Sequence, residues 1–240
     1  MIISDKAKEV ARILQYGNKA TEDRYIRSLR SRGMRVGHDV HLYSPWTIEI
    51  DVQRPWMISI GNNVHITAYC SILQHDYSWA VIQKKSGRVY GSCGEVVIGN
   101  NVFIGQKSIV LKGTTIQDNV IIGAGSVVSG TIEENSVYAG VPARKLMSLD
   151  KFEEKLASRQ IDEASSLVKK YREVYGVNPP KELLREFFWI FEKRGDGPLP
   201  AAFKEVNSLN DNAGLSEERY RSSLPQFDGY EDFLSQVNAK

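Results

Sequence analysis

The chain has 240 residues, enough for one large or two small domains, with 31 basic and 29 acidic side chains and a formal net charge of +2. This balance, without a long basic tract, excludes the electrostatic footprint of a nucleic-acid-binding protein. No apolar run is long enough to predict a membrane span, and the N-terminus lacks the apolar core of a signal peptide. Two cysteines are too few for a disulfide framework. We therefore expect a cytoplasmic protein, or one that works on the cytoplasmic face of a membrane.

The first elements predicted along the chain are helices. Two apolar stripes at helical spacing lie within residues 4–32, separated by Gly17 and Asn18. The stripes consist of Val10, Ile13 and Leu14, followed by Tyr25, Ile26 and Leu29. Because a repeat array needs a cover over its open end, residues 1–32 are predicted to form an N-terminal helical cap.

A six-residue spacing of aliphatic residues follows the cap. It holds from Val36 to Ile72, with Arg54 and Pro55 as an expected irregular corner, and returns from Ile98. In the second run the spacing places Ile98, Ile104, Val110, Ile116, Ile122 and Val128 in phase. Four residues after each comes a small or β-branched residue, namely Val102, Ser108, Thr114, Val120, Ser126 and Ile132. Such a hexapeptide period is the mark of a parallel β-helix.

The hexads also predict the corners of this structure. Each hexad should make one strand and one turn, and three should close a triangular coil of about 18 residues. Gly99, Gly105 and Gly123 are expected at corners because glycine tolerates positive φ at no steric cost.

The six-residue phase fails between Ile72 and Ile98, which predicts a protruding loop over residues 73–96. Long loops on a regular scaffold are usually functional or disordered. This one carries a histidine and several aromatic residues, so we expect it to contribute to a functional site.

The last part of the chain, residues 147–240, is predicted to be a C-terminal helical extension. Helical spacing is visible from Ser148 to Tyr175, and Pro179 and Pro180 should begin another helix. Its apolar faces are expected to be buried against the β-helix, a neighbouring subunit or another protein. The extension is interpreted as a docking or capping domain without catalytic residues.

Two segments carry a family resemblance. Residues 98–105 read Ile-Gly-Asn-Asn-Val-Phe-Ile-Gly, and residues 135–144 end in Val-Pro-Ala-Arg. Both resemble the hexapeptide-repeat acyltransferases, such as the galactoside, maltose, serine and capsular-sugar O-acetyltransferases. The resemblance covers residues 33–146 and implies a mainly β fold, a left-handed parallel β-helix with an N-terminal helical cap and a C-terminal helical extension. It also implies a homotrimer with intersubunit active sites and acetyl-CoA as the acyl donor.

His75 is the candidate general base. Acyl transfer to a hydroxyl needs a group with a pKa near 7 to take the hydroxyl proton. His75 opens the loop and matches the family's catalytic histidine in position and context. Its ring needs a partner at the second nitrogen, and Asp76, Glu49, Asp51 or a backbone carbonyl could serve. Asp76 could equally cap the loop.

The resemblance places coenzyme A along the last coils. Small corner residues allow close approach to backbone, and cations suit phosphates. The residues implied are Gly105, Gln106, Gly123, Ala124, Pro142, Arg144 and Lys145. A backbone amide near Gln106 could also serve as an oxyanion donor. Phe103 stands where many relatives carry tryptophan.

The acceptor is expected beside His75. Aromatic rings stack on sugars, and carboxylates bind their hydroxyls. The candidate rings are those of Tyr77, Trp79, Tyr90 and Trp46. The candidate carboxylates are those of Glu49, Asp51 and Asp76. The predicted activity is therefore O-acetylation of a carbohydrate, such as a polysaccharide precursor.

Four other functions share parts of this sequence pattern. N-acetylation of an amino sugar or antibiotic uses the same scaffold and stays open. A non-catalytic scaffold protein should lack a loop histidine. A β-helical carbonic anhydrase needs stacked zinc ligands, whereas His41 and His65, 24 residues apart, are expected on different faces, so no metal is expected. A sugar nucleotidyltransferase needs a preceding nucleotide-binding domain.

Overall fold

The computed structural model of the protein describes residues 5–195, 199–207, 209, 210 and 212–238. Two compact units, Met1–Phe152 and Glu153–Lys240, make up the chain. The first residues of the predicted cap, 1–4, lie outside the described part. The α-helices are α1 (Asp5–Tyr16), α2 (Glu22–Ser31), α3 (Trp79–Ser86), α4 (Leu149–Tyr175), α5 (Phe188–Phe191), α6 (Ala201–Asn207), α7 (Ala213–Ser222) and α8 (Tyr230–Asn238). None of the helices in these ranges is long and apolar enough to cross a bilayer.

The strands all lie in the first unit and are short. They are β1 (Arg35–Val36), β2 (Val40–Leu42), β3 (Glu49–Ile50), β4 (Ile58–Ile60), β5 (Val64–Ile66), β6 (Ser71–Ile72), β7 (Val96–Ile98), β8 (Val102–Ile104), β9 (Ile109–Val110), β10 (Thr115–Ile116), β11 (Val120–Ile122), β12 (Val127–Val128), β13 (Thr131–Ile132), β14 (Ser136–Ala139) and β15 (Arg144–Ser148). Helices account for about 44% of the chain. The prediction of a mainly β fold is therefore wrong for the whole chain and applies only to the hexapeptide region.

Successive strands join three different parallel sheets in turn. Sheet 1 contains β1, β4, β7, β10 and β13, sheet 2 contains β2, β5, β8, β11 and β14, and sheet 3 contains β3, β6, β9 and β12. The chain therefore winds as a stack of three-sided coils, which we call the β-coil. β15 ends the stack by pairing antiparallel with β14.

The hexad positions point into the β-coil and form its core. Every residue at the two predicted inward positions from 98 to 132 is at most 2% exposed. The inward hydroxyls are satisfied locally, since Ser108 and Ser126 both donate to the carbonyl of Gly123. One assignment is wrong: Ile132 pairs with Ile116 and takes the first hexad position, because the chain turns two residues early at Gly130.

The corner glycines serve a different purpose from the one predicted. Positive φ at these corners belongs to other residues, and Gly99, Gly105 and Gly123 do not have it. They are required because neighbouring coils approach closely: a Cβ on Gly105 would lie 2.5 Å from the backbone nitrogen of Ala124. At the corner between sheets 1 and 2, asparagines have positive φ, a left-handed conformation that asparagine adopts at low cost. They form a ladder of side-chain hydrogen bonds along the stack, through Asn63, Asn101, Asn119 and Asn135.

Replacing Gly105 with alanine is expected to lower the free energy of unfolding by about 1–3 kcal/mol, because the added methyl group overpacks the contact between coils. Equilibrium unfolding in guanidinium at matched protein concentrations measures the effect. Gly91→Ala is the control, since a methyl group added there would meet nothing within 4 Å and the φ of Gly91 is not positive. Equal midpoints for the two variants would contradict the close-approach account.

The first coil is larger than predicted. Val40 pairs with Val64, 24 residues later, whereas a regular coil spans 18. Two 3-10 segments, Pro45–Thr47 and Pro55–Met57, supply the extra residues, and only the second was expected. The second predicted stripe of the cap packs into the β-coil core, but Val10 and Leu14 of the first are exposed.

The second unit has a hydrophobic core of its own. Phe188 stacks on Phe203 at 4.7 Å, and Phe191 stacks on Phe233 at 5.7 Å. These rings are at most 1% exposed. The expectation that this extension must bury its apolar faces against something else is therefore wrong for the faces that form this core, which the helices bury against one another. Other large apolar side chains of the extension, such as Leu156 and Leu183, are exposed.

Candidate active site

The predicted loop leaves the β-coil after β6, returns at β7 and contains α3. Asp76 holds the start of this loop in place. Its carboxylate accepts hydrogen bonds from Lys112, from the backbone N–H and hydroxyl of Ser78, and from Ser92. The Lys112 ammonium, followed by the Ser78 donors, holds the pKa of Asp76 well below its usual value of 3.8. Asp76 thus fixes the loop, which is the capping role that the sequence left open.

Replacing Asp76 with asparagine is expected to destabilise the protein at pH 7 and progressively less in acid. A carboxyl group whose pKa is lowered in the folded state stabilises it fully above the ordinary pKa, and this contribution shrinks below about pH 4 and is lost only as the pH falls through the lowered pKa. The difference between the unfolding midpoints of wild type and Asp76→Asn should therefore be largest at pH 7 and become steadily smaller as the pH falls from about 4 towards about 2. Asp39→Asn is the control, and a constant difference across this range would contradict the assignment.

His75 lies at the start of the loop, three residues after the end of β6. Its Nδ1 atom contacts the Oδ2 atom of Asp51 in a short pair, and their side chains are 16% and 8% exposed. Asp51 follows β3, the neighbour of β6 in sheet 3, so strand pairing brings the two together. Its Oδ1 atom accepts from the backbone of Gln53 at 2.9 Å. Of the partners considered for His75, the structure therefore selects Asp51.

Two of the predicted aromatic residues lie next to this pair. The ring of Tyr77 meets His75 edge to face at 5.1 Å, and Trp79 lies 5.9 Å from Tyr77. The hydroxyl of Tyr77 accepts from Gln53 Nε2 at 2.8 Å. This arrangement makes a half-exposed aromatic wall beside the imidazole.

Other predicted acceptor residues lie elsewhere or already have partners. Glu49 pairs with Lys19 at 2.8 Å, and Trp46 stacks on Tyr16 at 5.6 Å. Tyr90 is 55% exposed, and its hydroxyl lies 3.4 Å from Arg88. A role for these residues in binding the acceptor stays a prediction.

Four of the residues proposed for the acyl donor, Gly105, Gln106, Gly123 and Ala124, lie at one corner of the β-coil. Gly105 and Gly123 stand at the same place on adjacent coils, and Gly125 donates to the carbonyl of Gln106 at 2.8 Å. Gln106 and Ala124 are exposed. Pro142, Arg144 and Lys145 follow at the end of the stack and are also exposed. The carboxylate of Glu133, 2.6 Å away, raises the pKa of Lys145.

His75 and this corner lie at opposite ends of the strands in sheet 3. The corner containing Gly105 precedes β9, whereas His75 follows β6, the parallel neighbour of β9. One chain therefore does not bring its own His75 to its own glycine corner.

Sequence reasoning missed two residues of this region, Gln74 and Lys112. Gln74 is fully buried, and its Nε2 atom lies 3.1 Å from Nδ1 of His75. The spacing of Gln74 could have identified it, because a residue two positions after the inward-pointing Ile72 points to the same side of the strand. Lys112 lies in a corner of a later coil, and nothing local in the sequence linked it to Asp76.

The prediction that His41 and His65 lie on different faces is wrong. They pair in register on β2 and β5, and their rings stack at 4.9 Å. The reason is the enlarged first coil, which makes 24 residues one full turn. His65 also contacts Tyr43 and Asn63. Within the described ranges, no group of three or more histidine, cysteine or acidic residues could hold a metal ion.

Comparisons with known proteins agree with this architecture. Residues 95–130 match the family model described as bacterial transferase hexapeptide (six repeats). Protein CapG of Staphylococcus aureus is 35% identical over 154 residues, which are 64% of this chain and 88% of CapG. The galactoside O-acetyltransferase of Escherichia coli K12 is 36% identical over 95 residues, 40% of this chain but only 46% of that enzyme.

Among solved structures, the maltose O-acetyltransferase of Clostridium difficile 630 is 26% identical. The match covers 59% of this chain and 84% of that one, with a TM-score of 0.39. The similarity to CapG extends over most of that relative and includes the hexapeptide region. The chain therefore belongs to the hexapeptide-repeat acetyltransferase family, and it is an acyltransferase.

Proposed function

We propose that the protein transfers an acetyl group from acetyl-CoA to a hydroxyl group of a carbohydrate, such as a polysaccharide precursor. The observation that carries the proposal is the pair of His75 and Asp51 beside the aromatic wall of the loop. It provides a base with a fixed orientation and a surface on which a sugar ring can stack.

The reaction follows from the proton inventory of this pair. An ionised carboxylate only accepts hydrogen bonds, so Asp51 holds a proton on Nδ1 and leaves the lone pair on Nε2 of His75. Nε2 takes the proton from the acceptor hydroxyl as its oxygen attacks the thioester carbonyl. Asp51 offsets the charge of the resulting imidazolium. His75 then gives the proton to the departing thiolate, so the base is regenerated without an acyl-enzyme.

The donor supplies the activated thioester when it is bound. Its pantetheine arm suits the exposed backbone at Gln106 and Ala124, and its phosphates suit Arg144 and Lys145. Because His75 lies at the other end of sheet 3, a neighbouring subunit must present its glycine corner to the loop. This separation supports active sites between subunits. The left-handed β-helical homotrimer is proposed from the family.

The acceptor class rests on the loop and on one relative. Tyr77 and Trp79 provide the aromatic surface, and the Escherichia coli relative is named for a galactoside acceptor. The bond formed is therefore proposed to be an ester.

Thiol release from acetyl-CoA, measured across a panel of sugars and amino sugars and without acceptor, tests the proposal. We expect release that depends on a sugar hydroxyl and yields an acetylated product cleaved by hydroxylamine. A hydroxylamine-stable amide would indicate N-acetylation instead. Absence of acceptor-dependent release across oligosaccharides, lipid-linked sugars and amino sugars would overturn the proposal.

A further inference from the structure

Gln74 is a buried polar residue with an incomplete set of hydrogen bonds. Its side chain is fully buried, and one end of its amide, Nε2, lies 3.1 Å from Nδ1 of His75. The other end, Oε1, has no hydrogen-bond partner among the described residues. Buried polar groups are nearly always paired, so an exception beside a candidate base needs an explanation.

The contact with His75 also conflicts with the proton that Asp51 requires. Asp51 can only accept, so Nδ1 carries a hydrogen, and the Nε2 group of Gln74 would then bring a second donor to the same point. A half-turn of the amide exchanges its two ends. The carbonyl oxygen then meets Nδ1–H, the conflict of two donors disappears, and the number of unpaired amide ends stays the same.

Backbone hydrogen bonds hold Gln74 at this position beside His75. The carbonyl of Gln74 accepts from Gly94 at 2.9 Å, and Leu73 donates to Val110 at 2.9 Å. The imidazole is therefore enclosed by Asp51 from the preceding coil, Gln74 from its own corner and Tyr77 at its edge. Two acceptors at Nδ1 hold the ring in the tautomer that leaves Nε2 as the base.

We propose that Gln74 is a positioning residue that, together with Asp51, holds His75 in its Nδ1–H tautomer through the carbonyl of its amide. The inference rests on the proposed role of His75 as the base. Gln74 does not contact the reacting atoms, and it acts through the imidazole alone.

Nitrogen NMR of the His75 ring in the resting, full-length protein tests the tautomer without any substrate. We expect the Nδ1–H form to dominate in wild type and in Gln74→Glu, which keeps an acceptor. In Gln74→Met, which removes the acceptor, the fraction of the Nε2–H form should rise at least several-fold. Gln83→Met, a change on the exposed face of the same loop, is the control.

The pH dependence of kcat/KM provides the second measurement. Loss of the carbonyl in Gln74→Met makes the imidazolium form of His75 less favourable, so the acidic limb of the profile should move to lower pH. The added negative charge in Gln74→Glu makes the imidazolium more favourable, so the acidic limb should move to higher pH. The other titratable groups facing or flanking the ring are Asp51, Tyr77, Cys93 across a backbone bridge, and Asp76, which is paired with Lys112. These are the same in every variant.

The two measurements separate the inference from the proposed function. If Gln74→Met lowers only the unfolding midpoint and changes neither the tautomer nor the pH profile, Gln74 is structural and the inference is overturned. If Gln74→Met does not fold, a predominantly Nε2–H ring in wild type or in Gln74→Glu overturns it equally. An inactive wild type with the expected tautomers would instead refute the function and support the positioning role.

Discussion

Replacing His75 with alanine is expected to lower kcat by about 10²–10⁴-fold, the range that a positioned general base contributes. The variant keeps the acceptor and donor surfaces but has no group to take the hydroxyl proton. Because the change acts on the chemical step, KM for acetyl-CoA should stay close to the wild-type value. Steady-state kinetics with the best acceptor of the panel measures both constants.

The control for this variant is His38→Ala. His38 is exposed and pairs with Asp39 at the corner between sheets 1 and 2, away from the loop. Its removal should leave kcat unchanged. If His75→Ala retains its oligomeric state, binds coenzyme A and turns over at the wild-type rate, His75 is not the base.

Replacing Asp51 with asparagine is expected to lower kcat by up to about 10⁴-fold, the loss seen when the orienting aspartate of a Ser-His-Asp triad is changed in this way. Asparagine can donate to Nδ1 and so favour the tautomer with a hydrogen on Nε2. The position of the ring is kept, but the lone pair then lies on Nδ1, facing residue 51, and Nε2 can no longer take a proton. The kcat and the tautomer of His75 should therefore change together.

Asp51→Glu distinguishes charge from shape in this experiment. It restores the carboxylate but moves it, so activity should lie between that of wild type and Asp51→Asn. Full activity in Asp51→Asn, with an unchanged His75 tautomer, would show that Asp51 has no part in orienting the base.

The loop shows how far local sequence patterns reach. The failure of the six-residue phase after Ile72 predicted where the chain leaves the β-coil, and the structure has the loop there. It did not predict α3 or the pairing of Asp76 with Lys112, since that contact joins residues of different coils. Asp51 was one of several partners considered for His75, and only strand pairing in sheet 3 distinguished it from Glu49, which turns to Lys19.

The sequence by itself determined the inward positions of the β-coil, because each hexad repeats the same local choice between core and corner. The tertiary structure decided which residues face one another across coils. That depends on the number of residues in each turn, which is 24 in the first coil, 38 in the coil that carries the loop, 18 in the regular coils and 16 in the last. The enlarged first coil stacks His41 on His65. Contact between coils, rather than positive φ, explains Gly105.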